Sequence, residues 1–275
     1  GDSRARGFLI GATAGRTTLN GEGLQHQDGH SHLLAASAPH VVAYDPAFAY
    51  ELALVIREGI RRMRVEQEDV IYYLTVQNET YAMPPMPEGV EEGVLRGLYR
   101  FREAGVKEGE VVHAHLLASG SIMQEALKAQ RILEEDYAVA AEVWSVTSFQ
   151  ELQREGLEAE RWNLRHPGEQ PRSPYVISCL QGCDGAFVVA SDYVKILPNA
   201  IARWFPRPPV CLGTDGFGRS DSREALRRHF EVDGRTIAFA ALSDLARQGK
   251  VGCERVAQAQ KELEIDPDKI NPLVM

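Results

Sequence analysis

Short runs of branched and aromatic residues alternate with a longer amphipathic segment in the first part of the chain. The short runs predict buried β-strands at residues 6–13, 40–44 and 70–76. Asp45-Pro46 favours a helix start between the second and third strands. Apolar residues then recur at the spacing of one helix face: Phe48, Leu52, Val55, Ile56, Ile60 and Met63. The order strand, helix, strand indicates a parallel sheet.

The pattern breaks between residues 77 and 110, where Met83 to Pro87 contains three prolines and predicts irregular structure. We place a domain boundary near residue 105, which gives domains at 1–105 and 106–275. In the second domain, apolar runs predict strands at 111–118, 139–146, 187–191 and 210–213, with helices between them and Asp221 and Asp233 as helix caps. The predicted fold class is α/β, with a mostly parallel second sheet.

Composition narrows the choice of function. Hydrophobic residues make up 44% of the 275 positions, which is ordinary for a soluble globular protein. The net charge of −9 argues against a nucleic-acid binder. The chain has no uninterrupted apolar run of roughly 18 residues, so no membrane span is expected. The four cysteines include one close pair, Cys179 and Cys183, without a second pair to complete a zinc site, and we interpret them as reduced thiols.

The densest chemistry lies in a polar loop at residues 14–31. Three histidines, one aspartate and one glutamate fall within eleven residues, from Glu22 to His32. A loop of this length without an apolar cluster is expected to be either disordered or held by a ligand or a neighbouring chain.

Four interpretations of the loop compete. A metal site is possible because alternate residues would share one side of an extended backbone, and these are His26, Asp28, His30 and His32. A dinucleotide-binding loop begins like Gly21-x-Gly23 but fails at its last glycine, where this chain has His26. A mobile solvated loop is the third interpretation. The fourth is an acid/base loop over an organic cofactor, in which Glu22 or Asp28 would fix the histidine tautomer.

Several long strings resemble one family. They are RGFLIGATAGRTTLNGEGLQHQDGHSH, YDPAFAYELALVIREGIRRM, YYLTVQNETYAMPPMPEG, SVTSFQELQREG, ERWNLRHP and LGTDGFGRSDSREALRRHFEVD. They resemble the homodimeric bacterial type of the decarboxylating, acetyl-transferring component of pyruvate dehydrogenase complexes. The resemblance implies a thiamine-diphosphate-binding, transketolase-like fold: the later part of a pyrimidine-binding middle domain, followed by a transketolase C-terminal-like domain.

The resemblance also implies roles for loop residues. His26 matches a catalytic histidine that contacts the substrate and its cofactor adduct. Glu22 matches an acidic residue of the same pocket, and Gln25, Asp28 and His32 are further cofactor- or substrate-binding candidates. The family loop ligates no metal, so we predict no metal ligands here.

The cofactors implied by the resemblance are thiamine diphosphate and Mg²⁺. The superfamily binds them through a Gly-Asp-Gly motif, which this sequence lacks, and the activating glutamate lies upstream of the first residue in the family. We therefore expect a partial active site in a cut chain. The chain is then either the inactive C-terminal piece of the enzyme or a non-catalytic assembly module.

The implied partners are a second copy of the chain, pyruvate and the dihydrolipoyl acetyltransferase of the complex. The implied location is the cytoplasm. By the same resemblance, the segment from Gly213 to Ser220 forms a structural subunit-contact loop, although its glycines and following helix look like a phosphate-binding loop. Asn78-Glu79 is either an active-site group at a strand end or a simple turn.

Overall fold

The computed structural model describes residues 2–105 and 112–274. The first unit contains a three-stranded parallel sheet in the order β1-β3-β2. Its strands are β1 (Gly7–Gly11), β2 (Val41–Tyr44) and β3 (Ile71–Thr75), and its helices are α1 (Ser31–Ala36) and α2 (Ala49–Arg64). The three predicted strands and the amphipathic helix between the second and third are confirmed. The prediction that all three strands are buried is wrong for β1, because β1 lies at the edge of the sheet and its Leu9 and Ile10 are 55% and 60% exposed.

The second unit contains a five-stranded mixed sheet in the order β4-β6-β5-β7-β8, with only β4 antiparallel to its neighbour. Its strands are β4 (Leu98–Arg102), β5 (Val112–Ala118), β6 (Val139–Val146), β7 (Ala186–Ala190) and β8 (Val210–Leu212). Helix α3 (Glu91–Arg96) precedes β4, and its Val94 lies in the core of the first unit together with residues of α2. The helices of the second unit are α4 (Ile122–Tyr137), α5 (Phe149–Arg165), α6 (Tyr175–Leu180), α7 (Ile196–Asn199), α8 (Arg223–Phe230), α9 (Gly234–Arg247) and α10 (Cys253–Glu262). The α/β class with mostly parallel sheets is confirmed.

Both faces of the second sheet are covered by helices. Alternate residues of β5 point to opposite faces, so Leu116 packs in the core that includes residues of α4 and α9, whereas Leu117 packs in the core that includes residues of α5 and α6. Strands buried on both faces have few polar positions, which explains the nearly continuous apolar runs. A polar side chain within these strands, such as His115, is therefore an exception that calls for an explanation.

The prediction of irregular structure across residues 77–110 is wrong for part of that segment. Helix α3 ends at Gly97, whose φ of 102° favours glycine, and a Cβ there would lie 2.6 Å from the Ser148 carbonyl oxygen. Strand β4 follows at once and pairs with β6 in the second sheet. The domain boundary near residue 105 stays a prediction, and residues 106–111, next to that boundary, lie outside the described residues.

Two predicted helix caps differ from the structure. Glu51 accepts hydrogen bonds from the backbone N–H groups of Ala47 and Phe48 at the start of α2, so Asp45 is not the cap. At the start of α8 the capping side chain is Ser222 rather than Asp221. Asp233 is confirmed as the cap of α9, since it accepts from the Thr236 N–H at 2.8 Å.

The two units share an extensive interface of polar contacts. The Arg227 guanidinium bonds both Glu79, which follows β3, and Glu125 on α4. The side chain of Arg227 is only 5% exposed, so this is a buried ion-pair network. Within the described ranges, no helix is long and apolar enough to cross a membrane.

Candidate active site

The loop at residues 14–31 is fastened to the second unit by two buried side chains. Arg16 donates to the carbonyl oxygens of Thr214 and Gly216 in the loop after β8. Gln27 donates to the Arg219 carbonyl and accepts from the Arg219 N–H at 2.7 Å. The loop is therefore held at least in part by its own chain, a source of support that the sequence expectation left out.

A buried carboxyl group lies beneath the same loop. Asp192, on the turn after β7, accepts from the Thr17 N–H at 3.2 Å. Burial raises the pKa of Asp192 from 3.8 to about 7, while the nearby Arg227 charge and the Thr17 bond lower it. Gly15 has a φ of +82° and lies against the Asp192 carboxyl, where a Cβ would come within 2.2 Å. The start of the loop is thus shaped around this acid.

The two residues expected to carry the chemistry are Glu22, which precedes a short 3-10 turn at Leu24–His26, and His26, which ends that turn. The Nδ1 atom of His26 lies 3.1 Å from Oε2 of Glu22. An ionised carboxylate only accepts, so Nδ1 carries the hydrogen and Nε2 is available to accept or, when protonated, to donate a proton. The two side chains are 53% and 49% exposed, which leaves them open to a ligand from outside the chain.

Asp28 and Gln25 have different surroundings in the loop. Asp28 accepts from the backbone N–H groups of His30 and Ser31, at 3.0 and 2.9 Å, and from the Ser31 hydroxyl. These bonds satisfy N–H groups at the start of α1, so Asp28 fixes the shape of the loop. Gln25 is exposed on the turn beside His26.

His32 is buried at the end of a hydrogen-bonded chain. Its Nε2 lies 3.0 Å from the Thr75 hydroxyl, which in turn donates to Asp45 at 2.7 Å. Because the only hydroxyl hydrogen of Thr75 goes to Asp45, His32 is the donor in its own bond. Burial lowers the pKa of His32 and raises that of Asp45. His32 is therefore neutral near pH 7 and faces the core, whereas His26 faces outward.

This geometry removes two interpretations of the loop. The backbone is not extended from His26 to His32, because it passes from a 3-10 turn into helix α1. In the parts of the chain that the structure describes, the one set of side chains able to hold a metal ion excludes all four residues of the proposed loop site, so that interpretation is wrong. The turn after Gly23 is three residues long, which is too short for the helix of a dinucleotide-binding motif.

Arg16 and Gln27 could not be recognised from the sequence as the residues that anchor the loop. Their partners are backbone atoms about two hundred positions away, and no local spacing signals such contacts. The composition of the loop was the one indication that such anchors exist. An ordered loop of this length without an apolar cluster needs buried polar side chains to hold it.

Two family models match the chain. The model of the pyruvate dehydrogenase E1 component middle domain matches residues 1–84, and that of the transketolase-like TK C-terminal domain matches residues 97–233.

Curated relatives agree with these matches. A pyruvate dehydrogenase E1 component from Pseudomonas aeruginosa is 53% identical over 274 residues, covering 99% of this chain and 31% of the relative. The one from Escherichia coli K12 is 50% identical over 274 residues, covering 99% of this chain and 30% of the relative. The chain thus spans less than a third of the length of these relatives.

Solved structures show the same fold. A transketolase mutant from Pichia stipitis superposes with a TM-score of 0.62 at 17% identity, over 88% of this chain and 31% of that one. At this identity the likeness shows the fold alone, which is transketolase-like. Taken with the identities of about half to the curated relatives, the matches show that this chain belongs to the family of pyruvate dehydrogenase E1 components, with their middle and transketolase-like C-terminal domains.

Proposed function

We propose that this chain forms the C-terminal part of a thiamine-diphosphate-dependent pyruvate dehydrogenase. That enzyme decarboxylates pyruvate oxidatively and passes the acetyl group to a lipoyl group of the dihydrolipoyl acetyltransferase. The observation that carries the proposal is the exposed His26–Glu22 pair, presented on a loop that buried Arg16 and Gln27 hold in one position. A catalytic group must be held in a fixed geometry by its surroundings, and this loop meets that condition.

In this proposal His26 is the catalytic residue. It donates a hydrogen bond from Nε2 to the carboxylate or carbonyl oxygen of pyruvate and positions the substrate for attack. Glu22 accepts the Nδ1–H hydrogen bond and so fixes the orientation of the His26 ring. Gln25, on the same turn, is proposed to contact the substrate. Asp28 holds the shape of the loop, and His32 ties the end of the loop to the core.

The described part of the chain does not fit the Mg²⁺ and diphosphate anchor. Mg²⁺ prefers oxygen ligands in octahedral geometry. In residues 2–105 and 112–274, the one candidate metal-ligating set combines His115, Glu142 and Cys183, which offers nitrogen and sulfur as well as oxygen. We therefore propose that the anchor belongs to sequence outside this chain, and we assign no step on the cofactor to these residues.

A second role, assembly, is supported by the surface beside the active-site loop. A groove of about 690 Å³ lies between this loop and the segment Gly213 to Ser220, with Leu24, Ile196, Phe217 and Leu273 in its lining. Phe217 is 76% exposed, and the other three apolar side chains are also more than half exposed. Apolar side chains grouped in one exposed patch are typical of an interaction surface. We propose that a second copy of the chain covers this groove in a homodimer in the cytoplasm.

Turnover of pyruvate tests the catalytic proposal. In the longer enzyme that contains this chain, His26→Ala is expected to lower turnover by roughly 10²–10⁴, the range for a lost acid/base group. His166→Ala is the matched control, because His166 is an exposed histidine at the end of α5. Turnover of His26→Ala equal to that of the control removes His26 from the mechanism.

Cofactor titration tests the partial site separately. Calorimetry of the 275-residue chain with thiamine diphosphate and Mg²⁺ is expected to give no binding at micromolar concentrations. Micromolar binding, or turnover of pyruvate by this chain alone, would show that the anchor is present after all.

A further inference from the structure

Three side chains with metal-ligating atoms meet on one face of the second sheet, away from the active-site loop. They are His115 on β5, Glu142 on β6 and Cys183 in the turn before β7. Their ligand atoms all lie within 4.8 Å of one another. We propose that these three residues form a zinc-binding site. The proposal does not depend on the proposed function.

The fold itself brings these residues together. His115 and Glu142 are direct neighbours in the parallel register of β5 and β6, on the same face of the sheet. Gly185 has a φ of +118°, and a Cβ there would lie 1.9 Å from the His113 carbonyl oxygen. Only glycine lets the turn before β7 press this closely against β5. That close approach places Cys183 beside the His115–Glu142 pair.

The distance between the first two ligands suits zinc. Nδ1 of His115 lies 3.1 Å from Oε2 of Glu142. Two ligands at zinc bond lengths of about 2.0–2.1 Å in a tetrahedron are separated by about 3.3 Å, so an ion fits between these atoms with little movement. Cys183 would complete three protein ligands of nitrogen, oxygen and sulfur, a set that favours zinc over magnesium or calcium.

The surroundings of the ligands match those of protein zinc sites. The second ring nitrogen of His115 lies 3.2 Å from the Asp184 carbonyl oxygen. Donation of this N–H to a carbonyl fixes the tautomer that leaves Nδ1 free to bind metal. Arg100 holds the other carboxylate oxygen of Glu142 at 3.0 Å, which orients the first. The His115 side chain is 4% exposed and the Glu142 side chain 17%, so the ligands are screened from bulk water.

A fourth ligand position is open. The three residues line a cavity of about 640 Å³ that also contains Cys179 and His113. A water molecule in this cavity can complete a tetrahedron. The cavity lies toward the strand ends opposite the loop from Gly213 to Ser220, so this site is distinct from the active-site loop.

The alternative to a zinc ion between His115 Nδ1 and Glu142 Oε2 is a proton. If both ring nitrogens of His115 carry hydrogen, the imidazolium and Glu142 form an ordinary buried ion pair, and Cys183 is only a neighbour. The two states differ in the role of the thiol, because only the metal site engages Cys183. The decisive test therefore removes the sulfur.

The test uses the whole 275-residue chain, stripped with a chelator and titrated with Zn²⁺ alone against a chromophoric zinc indicator. We expect one equivalent to bind and to raise the melting temperature. Cys183→Ser and His115→Gln should each weaken zinc binding by about 10²-fold or more. Removing a ligand should cost at least as much affinity as removing a residue that only hydrogen-bonds to a ligand. Cys253→Ser, which removes an exposed thiol outside the cluster, should bind as the unmodified chain does.

Cobalt substitution identifies the ligands without relying on the stability of a variant. The unmodified chain with Co²⁺ alone should show tetrahedral d–d bands and a thiolate-to-cobalt charge-transfer band, and the latter should persist in Cys253→Ser. Absence of the charge-transfer band from the unmodified chain overturns the proposal. So does zinc binding that is unchanged in a folded Cys183→Ser variant, or binding that is lost in Cys253→Ser.

Discussion

Asp192 offers the sharpest test of the energetics beneath the active-site loop. The carboxyl group is fully buried, and its Oδ1 atom has no hydrogen-bond partner in the described part of the chain. Burial raises its pKa to about 7, although Arg227 and the Thr17 N–H oppose the shift. Ionised Asp192 therefore destabilises the folded chain at neutral pH, and Asp192→Asn should relieve this cost.

The magnitude follows from the two pKa values. The unfolded chain loses this proton near pH 3.8 and the folded chain near pH 7, so the free energy of unfolding falls as pH rises between these values. At about 1.4 kcal/mol per unit, the loss attributable to Asp192 totals about 4 kcal/mol. The Asn amide would still lack a partner, so we expect Asp192→Asn to stabilise the chain by roughly 1–3 kcal/mol above pH 7.

Urea denaturation of both chains between about pH 5 and pH 8 measures the effect. The difference in unfolding free energy should be near zero or unfavourable at the acidic end, and should grow in favour of Asp192→Asn as pH rises. Comparing the two chains cancels contributions from other titrating groups. Parallel pH profiles, or a variant that loses stability at the alkaline end, would refute the reasoning.

Two further changes test the contacts between the units. Arg227→Met leaves Glu79 and Glu125 without their shared buried guanidinium and should lower the free energy of unfolding by about 3–5 kcal/mol. Arg161→Gln, in an exposed pair on α5, should leave the urea midpoint unchanged, and an equally small effect at Arg227 would contradict the buried network. Gln27→Ala should speed proteolytic cleavage of the active-site loop by about 10-fold, since its bonds to Arg219 are lost. Exposed Gln25→Ala is the control, and equal cleavage of the two variants would show that Gln27 does not anchor the loop.

Much of the fold could be predicted from hydrophobic pattern. The buried strand β3 is a run of branched and aromatic residues, and α2 has a clear apolar stripe. Helix α3 and strand β4 were missed because the prolines before them dominate the local composition. Strand β4 pairs with β6, which lies more than forty residues later in the chain, and the local sequence does not indicate this pairing.

In the polar loop at residues 14–31, side-chain directions could be predicted only in part. Glu22 and His26 could be considered together because both lie in one short polar stretch, and the chain entering the 3-10 turn brings them together. The two-residue spacing from His26 to His32 suggested that these side chains share one face. The backbone enters helix α1 before His32, however, and the His32 side chain is buried in the core. Periodicity predicts a common face only while the backbone keeps one conformation.

The proposed zinc site could not be predicted from the spacing of residues in the sequence. Cys179 and Cys183 drew attention as a pair, but the two other ligands come from adjacent strands at positions 115 and 142. Strand pairing and the close turn at Gly185 create the cluster, and both depend on the folded sheet. Metal sites assembled from separate elements show no ligand motif in the sequence.

The central claim is that Glu22 and His26 act as one unit on pyruvate, and a double-mutant cycle tests it most directly. Turnover of pyruvate is measured in the longer enzyme for Glu22→Gln, His26→Ala and the double variant. Residues that act as a unit are strongly non-additive, so the double variant should turn over pyruvate as slowly as His26→Ala alone, with Glu22→Gln less impaired. Single effects that simply multiply in the double variant, or turnover unchanged in all three, would contradict the account.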